Sequence, residues 1–409
     1  MLPALPEEPT SCTWADAWRR HFLATLVGGW PKAAAKNMRT SRSPRRRNLL
    51  VADLLAEKTL VLCVGCGGVG KTTTAAALAV AGAQAGRRTA VLTVDPAQRL
   101  KTALGLDGLS HEPRRVHIAS AKRSFDALAL DTKRMFDALV ERFAPDAETA
   151  QRIFANRLYQ ELSNELAGSA EYMAMETLYD LSHSGRYDLL VVDTPPSAHV
   201  HDLLAAPNRL LTLLASRAVR FLQSPASLLQ TTTSAPARMA LRTLLQALER
   251  WSGLPLLRDL SEFVGGFESM LAGFAQRAEH IDKLLHDPTT AFVVVTSAQP
   301  RTIALAEAMV NDLREGGYPV AGVVANRVHA FQRMAPTSHE PTDPISTKLW
   351  ANYRDLAARS AHEHTVLTEF VQRIRLPLLA TIPVQAVPPT SVAGLENLAA
   401  VLRGTQGND

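Results

Sequence analysis

Short, continuous runs of apolar residues recur along the chain from residue 59 onward, and segments with helical spacing separate most of them. These runs predict β-strands at 59–65, 89–94, 115–120, 187–193, 290–297, 318–326 and 376–382. Apolar runs without alternation are typical of strands that helices cover on both faces, and strand–helix alternation implies right-handed crossovers. The pattern therefore predicts an α/β fold with a mostly parallel central sheet flanked by helices.

Two long stretches, residues 125–185 and 202–288, have helical spacing with no strand pattern. We expect them to form a helical subdomain beside the carboxyl ends of the strands. The leucine-rich second stretch is suited either to line a groove for a partner protein or to pack as an ordinary helical core, and the sequence leaves both readings open. Residues 330–347 carry three prolines and almost no apolar periodicity, which predicts an exposed loop.

The first 48 residues differ in composition from the rest. Residues 1–50 contain nine Lys or Arg against three Asp or Glu, a balance of +6, so the remainder of the chain sums to −1 out of a total of +5. A basic, proline-interrupted segment at 39–47 predicts a disordered extension over residues 1–48, ahead of one folded domain over residues 49–409. Because that domain has no basic excess, no nucleic-acid partner is expected.

Composition places the chain among globular proteins, with 46% hydrophobic and 20% charged residues over 409 positions. It has no apolar run of about 18 residues, the length that a membrane-spanning helix needs. The sequence contains three cysteines, Cys12, Cys63 and Cys66, which argues against a disulfide framework and favours a reducing compartment. We therefore predict a cytoplasmic protein.

The stretch from Thr59 to Thr73, TLVLCVGCGGVGKTT, joins the first predicted strand to a helix-forming run through a glycine loop. This context predicts a phosphate-binding loop for a nucleotide such as ATP. Glycines let backbone N–H groups approach phosphate oxygens, Lys71 supplies a positive charge, and the Thr72 hydroxyl is suited to bind Mg²⁺. The residues expected at the nucleotide are Gly65, Gly67, Gly68, Val69, Gly70, Lys71, Thr72 and Thr73.

Two further predicted strands end in an aspartate. Asp95 follows strand 89–94, where a carboxylate can either orient a water molecule toward the terminal phosphate or cap the next helix. Asp193 ends strand 187–193 and is placed to hold the water shell of Mg²⁺ opposite Thr72. Asp95 and Lys71 are thus the candidate catalytic residues, and Thr72 and Asp193 the candidate metal ligands.

From about Leu49 onward the sequence resembles the arsenite-pump and guided-entry ATPases, which belong to the deviant-Walker P-loop class. The resemblance is carried in order by GCGGVGKTT, VDPAQRL, DTPPSAHVHDLL and VVANRV. It implies a dimeric Mg-ATPase in which Asp95 positions the attacking water and Asp193 lies near Mg²⁺. It also implies that Asn326 reads adenine and that Pro383 packs on the base.

The chain departs from this family at one loop residue. The family carries a lysine after the first glycine of the loop, which reaches across a dimer to the partner's nucleotide, whereas this chain has Cys66. A thiol delivers no positive charge. The departure is consistent with a homodimer of altered hydrolysis rate, and our hypothesis is a heterodimer with a paralogous ATPase that retains the lysine.

Other signals predict no separate metal chemistry. Cys63 and Cys66 have the spacing of a redox or zinc pair, but one lies in a predicted buried strand and the other in the phosphate loop. Arsenite activation would need further converging thiolates, and Cys12 lies in the extension, so arsenite-pump activity is not expected. The run His362-Glu363-His364 lies in a polar helical segment and is interpreted as solvated surface.

The sequence therefore predicts a cytoplasmic switch ATPase that uses ATP turnover to gate a dimer and a helical region toward a protein client or a membrane-associated partner. Two alternatives stay open: a spatial-positioning ATPase of the partitioning type that uses the basic extension, and a weakly hydrolysing regulatory subunit. The extension itself has three interpretations: an export signal around Arg19-Arg20, a membrane or partner arm, or a segment without function that precedes the true start codon.

Overall fold

The computed structural model describes residues 51–94, 99–121, 123–144, 146–155, 169–195, 200, 203–206, 275–329 and 343–404. Its helices are α1 (Val51–Glu57), α2 (Lys71–Gln84), α3 (Arg99–Leu104), α4 (Thr132–Phe143), α5 (Ala147–Ala155), α6 (Ser169–His183), α7 (Pro300–Glu315), α8 (Pro344–Ile374) and α9 (Val392–Leu402). Its strands are β1 (Leu60–Val64), β2 (Thr89–Thr93), β3 (Arg114–Ile118), β4 (Arg123–Ala129), β5 (Leu189–Asp193), β6 (Thr290–Thr296), β7 (Val320–Val328) and β8 (Leu378–Pro383). Residues 203–206 and 275–286 are also helical.

One sheet of eight strands organises the described residues, in the order β3-β4-β2-β5-β1-β6-β7-β8. Every neighbouring pair is parallel except β3–β4, which is antiparallel. The glycine-loop strand β1 is central, between β5 and β6. The predicted mostly parallel sheet with flanking helices is confirmed.

The sheet is covered on both faces because successive side chains of each central strand point to opposite sides. Val61 and Cys63 of β1 pack in a core with α1, α2, α3 and α9. Leu60 and Leu62 pack in a second core with α6, residues 281 and 285, α7 and α8. Every residue of β1, β2, β5 and β6 is buried, which is why these strands read as unbroken apolar runs.

The structure corrects the start of the first predicted helical stretch, because residues 123–129 form strand β4 and helix α4 begins only at Thr132. Phe125 and Ala127 face one core while Leu128 faces the other, which is the alternation of a strand. A short apolar run of this length does not distinguish the two structures by itself. Pairing with β2 and β3 on either side decides it.

The end of the predicted loop 330–347 is also corrected, since helix α8 begins at Pro344. The Asp343 carboxylate accepts hydrogen bonds from the backbone N–H groups of Ile345 and Ser346, at 3.0 and 2.9 Å. Proline is favoured in the first turn of a helix because the missing N–H has no partner there. The third proline therefore starts a helix instead of extending a loop.

Several predictions concern residues outside the described part of the chain. These are the extension 1–48, most of the helical stretch 202–288 and the loop residues 330–342. Among the described helices, none combines the length and the apolar character that crossing a membrane requires.

The helical segment 275–286, near the end of the stretch 202–288, is joined to α6 by polar contacts. Arg277 of the helical segment 275–286 donates to Glu176 and Asp180 of α6, both at 2.5 Å. One turn along, the Nε2 atoms of His183 and His280 are 2.9 Å apart, and His183 Nδ1 is 2.9 Å from the Tyr179 carbonyl oxygen. The segment is therefore attached to α6 at two levels.

The histidine pair predicts a loss of stability in acid. Burial, followed by the charges of His183 and Lys283, lowers the pKa of His280 below its ordinary value of 6.5. The unfolded chain then binds more protons than the folded chain, so the free energy of unfolding falls as the pH drops below 6.5 and through the folded pKa. Because the pKa of His286 is raised and contributes in the opposite direction, the difference between proteins is the test: between pH 7.5 and 5.5 we expect the urea midpoint of the unmodified chain to fall relative to that of His280→Gln. The exposed His362→Gln serves as the control; equal falls in all three proteins would contradict the assignment.

Candidate nucleotide-binding site

The glycine loop lies at the carboxyl end of the central strand β1 and leads directly into α2, which begins at Lys71. Gly65 has φ of 150°, and a Cβ atom on it would lie 2.3 Å from the carbonyl oxygen of Val295 in β6. Gly70 has φ of 94°, and a Cβ atom there would lie 2.1 Å from Nδ2 of Asn326. Only glycine satisfies both the backbone angles and the close approach at these two positions.

Lys71 places a positive charge inside this loop. The side chain is 7% exposed, and its Nζ donates to the carbonyl oxygens of Gly65 and Cys66, both at 3.0 Å. The ammonium thus lies over the loop, next to the N-terminus of α2, where the helix also carries partial positive charge. The residue before the helix, Gly70, has no side chain to cap the first turn. Both features favour an anion at the loop.

Asp193 ends β5, the strand beside β1, and is paired in register with Cys63. Its side chain is completely buried, and its Oδ2 accepts a hydrogen bond from Thr93 Oγ1 of β2 at 2.9 Å. The next residue, Thr194, donates its hydroxyl to the Cys63 carbonyl at 2.8 Å. These contacts orient the carboxylate at the same edge of the sheet as the glycine loop. Thr93 is a supporting residue that sequence reasoning missed.

The two described cysteines are buried at this site and hold their protons. Burial raises the pKa of Cys63, and the Asp193 charge raises it further while Lys71 opposes the change. Burial also raises the pKa of Cys66, against the positive charges of Lys71 and Arg301. Neutral thiols are poor metal ligands and poor nucleophiles. Within the described ranges no group of three or more His, Cys, Asp and Glu side chains is placed to hold a metal ion.

Asn326 has a contact that its predicted role did not include. Its Nδ2 donates to the Val69 carbonyl of the glycine loop at 2.8 Å, and its Oδ1 accepts from the Arg327 N–H at 2.8 Å. Arg327 has φ of 58°, and the pairing of β7 with β8 shifts register between Ala325 and Val328. A bulge in β7 therefore aims the amide at the loop. Pro383 lies on the neighbouring strand, opposite Val328.

Other predicted residues are placed as follows. Thr72 and Thr73 lie half-buried in the first turn of α2, and Gly67 and Gly68 are exposed at the tip of the loop. Asp95 lies outside the described residues. Of the run 362–364, predicted as solvated surface, His362 and His364 are exposed. Glu363 is half-buried, and its carboxylate lies 2.7 Å from His329 Nδ1.

The loop geometry gives a paired prediction on two neighbouring glycines. Gly70→Ala would force a Cβ against Asn326 in the left-handed region, so we expect the free energy of unfolding to fall by about 2 kcal/mol. Gly67→Ala meets nothing within 4 Å and should change it by less than about 0.5 kcal/mol. Urea unfolding of both variants measures the difference. Equal stabilities would show that the loop does not depend on the contact between Gly70 and Asn326.

Comparison with known proteins agrees with this geometry. A family model described as anion-transporting ATPase matches residues 58–337, more than half of the chain. An uncharacterised protein of Streptomyces coelicolor is 30% identical over 270 residues, covering 66% of this chain and 62% of the relative. The ATPase ASNA1 homolog 1 of Paramecium tetraurelia is 30% identical over 162 residues, covering 38% and 46%. The ATPase GET3 of Malassezia globosa is 25% identical over 292 residues, covering 68% and 75%.

The matches to the Streptomyces and Paramecium relatives span less than two thirds of those proteins, 62% and 46% of their lengths. The family match nevertheless includes the glycine loop, Asp193 and Asn326 within one continuous range. The resemblance drawn from the sequence motifs is thereby confirmed. This chain belongs to the anion-transporting ATPase family, the ArsA-like ATPases.

Proposed function

We propose that this protein is a magnesium-dependent switch ATPase, in which binding and hydrolysis of ATP control contact with a partner protein. The observation that carries the proposal is the buried Lys71 ammonium, held over a glycine loop at the N-terminus of α2. Positive charge and aligned helix N–H groups at one point form a site for the phosphates of a nucleotide. The family supports a nucleotide as the ligand.

The residues present fit ATP and Mg²⁺. The close approach at Gly65 and Gly70 keeps the loop free of side chains where phosphates would bind. Thr72, in the first turn of α2, has the hydroxyl that would bind Mg²⁺, and the buried Asp193 would hold the water shell of the ion. When bound, Mg²⁺ neutralises charge on the terminal phosphates. Asn326 and Pro383 are proposed to contact the adenine, with Asn326 also holding the loop through Val69.

The chain's own groups divide the chemical work. Lys71 Nζ would exchange its hydrogen bonds to loop carbonyls for bonds to phosphate oxygens, so that its charge stabilises the transition state. Thr93 holds one oxygen of the Asp193 carboxylate through a hydrogen bond. Asp95 is proposed to orient the attacking water from the end of β2. Thr73 would add its backbone N–H at the start of α2.

Coupling to a partner is proposed to pass through the segments that follow β2 and β5. Asp95 and Asp193 stand where these strands end, so nucleotide contacts there would bias two arrangements of the following loops. We propose that the partner, a protein client or a membrane-associated protein, binds to the helical region 202–288. We also propose that the protein works as a dimer.

Cys66 supports a second candidate, a regulatory subunit with weak hydrolysis of its own. The buried, protonated thiol brings no positive charge to the loop. In this version a paralogous ATPase supplies the missing cation across a heterodimer. Lys71 and Arg301 are the cations of this chain whose charges act on the Cys66 thiol. The partitioning-type alternative depends on residues 1–48, outside the described part of the chain.

A turnover assay of the isolated chain tests the proposal. We expect magnesium-dependent release of phosphate from ATP, and we expect Asp95→Asn to retain ATP binding while losing at least about a hundredfold in turnover. Asp107→Asn changes an exposed aspartate in the same part of the chain and serves as the matched control. ATP binding without turnover in the unmodified chain would favour the regulatory subunit. Absence of ATP binding would refute both versions.

A further inference from the structure

A cavity lies at the edge of the sheet opposite the glycine loop. Its volume is about 530 Å³, and it is bordered by the amino ends of β2, β4 and β5 and by the turn after α2. Because α2 has 14 residues and begins at the glycine loop, this cavity lies about 20 Å from that loop. It is therefore a separate site. Its size is in the range of small-molecule pockets.

Arginine dominates the wall of this cavity. Four arginines with largely exposed side chains border it: Arg88, Arg115, Arg123 and Arg186. Arg87 also lines it, but its guanidinium is engaged by the backbone carbonyls of Leu55, Lys58 and Asp188. Such a concentration contrasts with the chain beyond residue 50, which sums to −1.

Two carboxylates organise the arginines without neutralising them. Arg88 is paired with Asp188 at 2.6 Å. The buried Asp126 carboxylate receives Arg115 Nε at 3.2 Å, with Arg186 at 3.8 Å. The five guanidinium groups that line the cavity, counted against these two carboxylates, leave an excess of three positive charges. Like charges placed this closely repel one another, and an anion among them removes that cost.

The Asp126 carboxylate is held in place by Tyr187. Tyr187 donates its hydroxyl to Asp126 Oδ2 at 2.8 Å, and the guanidinium of Arg186 lies 5.4 Å from the centre of the Tyr187 ring. Burial, together with the bond to Asp126, raises the pKa of Tyr187 to about 12, so the phenol remains a donor at neutral pH. Asp126 is 5% exposed. Arg115 and Arg186 are thus held by a buried hub with their charges toward the cavity.

We propose that this cavity binds a small organic molecule that carries two or more phosphate groups. The planar guanidinium group binds phosphate oxygens in pairs, and several arginines around one volume suit a ligand with more than one anionic group. The hydroxyl of Ser124 on the same wall is a further donor to such a ligand. The proposal is independent of ATP hydrolysis at the glycine loop, since neither Lys71 nor Asp193 takes part.

Calorimetric titration of the full chain with inorganic tripolyphosphate, without added nucleotide, tests the assignment. We expect one equivalent to bind at the cavity, apart from any bound at the glycine loop, and the affinity of that equivalent to fall at least tenfold in the double variant Arg123→Gln/Arg186→Gln. Arg123→Gln alone keeps the Asp126 hub complete and should weaken binding about threefold. Arg373→Gln, which changes an exposed arginine paired with Glu307, should leave it unchanged. Urea midpoints of all variants verify folding.

Three results would overturn the proposal. They are absence of binding to the unmodified chain, binding unaffected by the cavity arginines, and equal loss in Arg373→Gln. Citrate as the second titrant separates phosphate from carboxylate recognition, and binding of citrate as tight as that of tripolyphosphate would overturn the phosphate assignment. Repeating the titration in Lys71→Ala should give the same affinity, because the cavity does not involve the glycine loop. A chain that failed to hydrolyse ATP would still be expected to bind here.

Discussion

Replacing Lys71 with alanine is expected to lower the rate of ATP hydrolysis at least about a hundredfold. The ammonium group is 7% exposed and is the charge that the glycine loop encloses, at 3.0 Å from two of its carbonyl oxygens. The Lys71→Ala protein keeps the glycines of the loop and the N-terminus of α2, so it retains a weakened affinity for nucleotide. The charge that would compensate the developing negative charge on the phosphates is lost. Phosphate release at saturating ATP measures the effect.

The control for Lys71→Ala is Lys133→Ala, which removes an exposed lysine paired with Asp137 on α4. It should hydrolyse ATP at the unmodified rate. Because Lys71 also holds the loop carbonyls together, the urea midpoint of Lys71→Ala is measured in parallel to separate a chemical loss from unfolding. A folded Lys71→Ala protein with an undiminished rate would remove the glycine loop from the catalytic site.

The glycine loop can be located from the sequence because its main parts are contiguous in the chain. Residues 60–72 form strand, loop and helix start in one run, and Gly65 and Gly70 have positive φ angles. The contact between Asn326 and the Val69 carbonyl joins residues 257 positions apart. It depends on the bulge at Arg327, which no local pattern signals. The hydrogen bond from Thr93 to Asp193 likewise depends on strand order.

The two errors in the predicted secondary structure, at β4 and at the start of α8, have different physical origins. The sequence pattern places residues 125–129 in a helical stretch, whereas the structure has them in strand β4. Phe125 and Leu128 are three residues apart, a spacing that a helix and a strand both tolerate in so short a run. Only its pairing with β2 and β3, which lie elsewhere in the sequence, decides in favour of the strand. The start of α8 was different, since Asp343 and Pro344 are local signals for a helix N-terminus. The prediction treated Pro344 as part of a loop, whereas it is the first residue of helix α8.

Removing the buried carboxylate of Glu176 is expected to destabilise the protein more than any other charge substitution considered above. Glu176 is completely buried and accepts from Arg277, which is itself 11% exposed and lies with its guanidinium 4.1 Å from the Tyr179 ring centre. Burial alone would lower the pKa of Arg277, but the carboxylates of Glu176 and Asp180 raise it above its ordinary value. The arginine therefore stays charged, and Glu176→Ala leaves that charge buried with a weaker set of partners.

We expect Glu176→Ala to lower the free energy of unfolding by about 3 kcal/mol, as breaking one side of a buried ion pair does. The exposed pair of Glu307 and Arg373 provides the matched control, and Glu307→Ala should cost less than about 0.5 kcal/mol. The double variant Glu176→Leu/Arg277→Met removes both charges and should recover most of the loss, because well-packed apolar residues often replace a buried pair without cost. Urea unfolding of the three variants decides the matter. If Glu176→Ala cost no more than Glu307→Ala, this ion pair would not be what holds residues 275–286 on α6, and the stability of that junction would rest on the apolar contacts of Ala278, Ile281 and Leu285 instead.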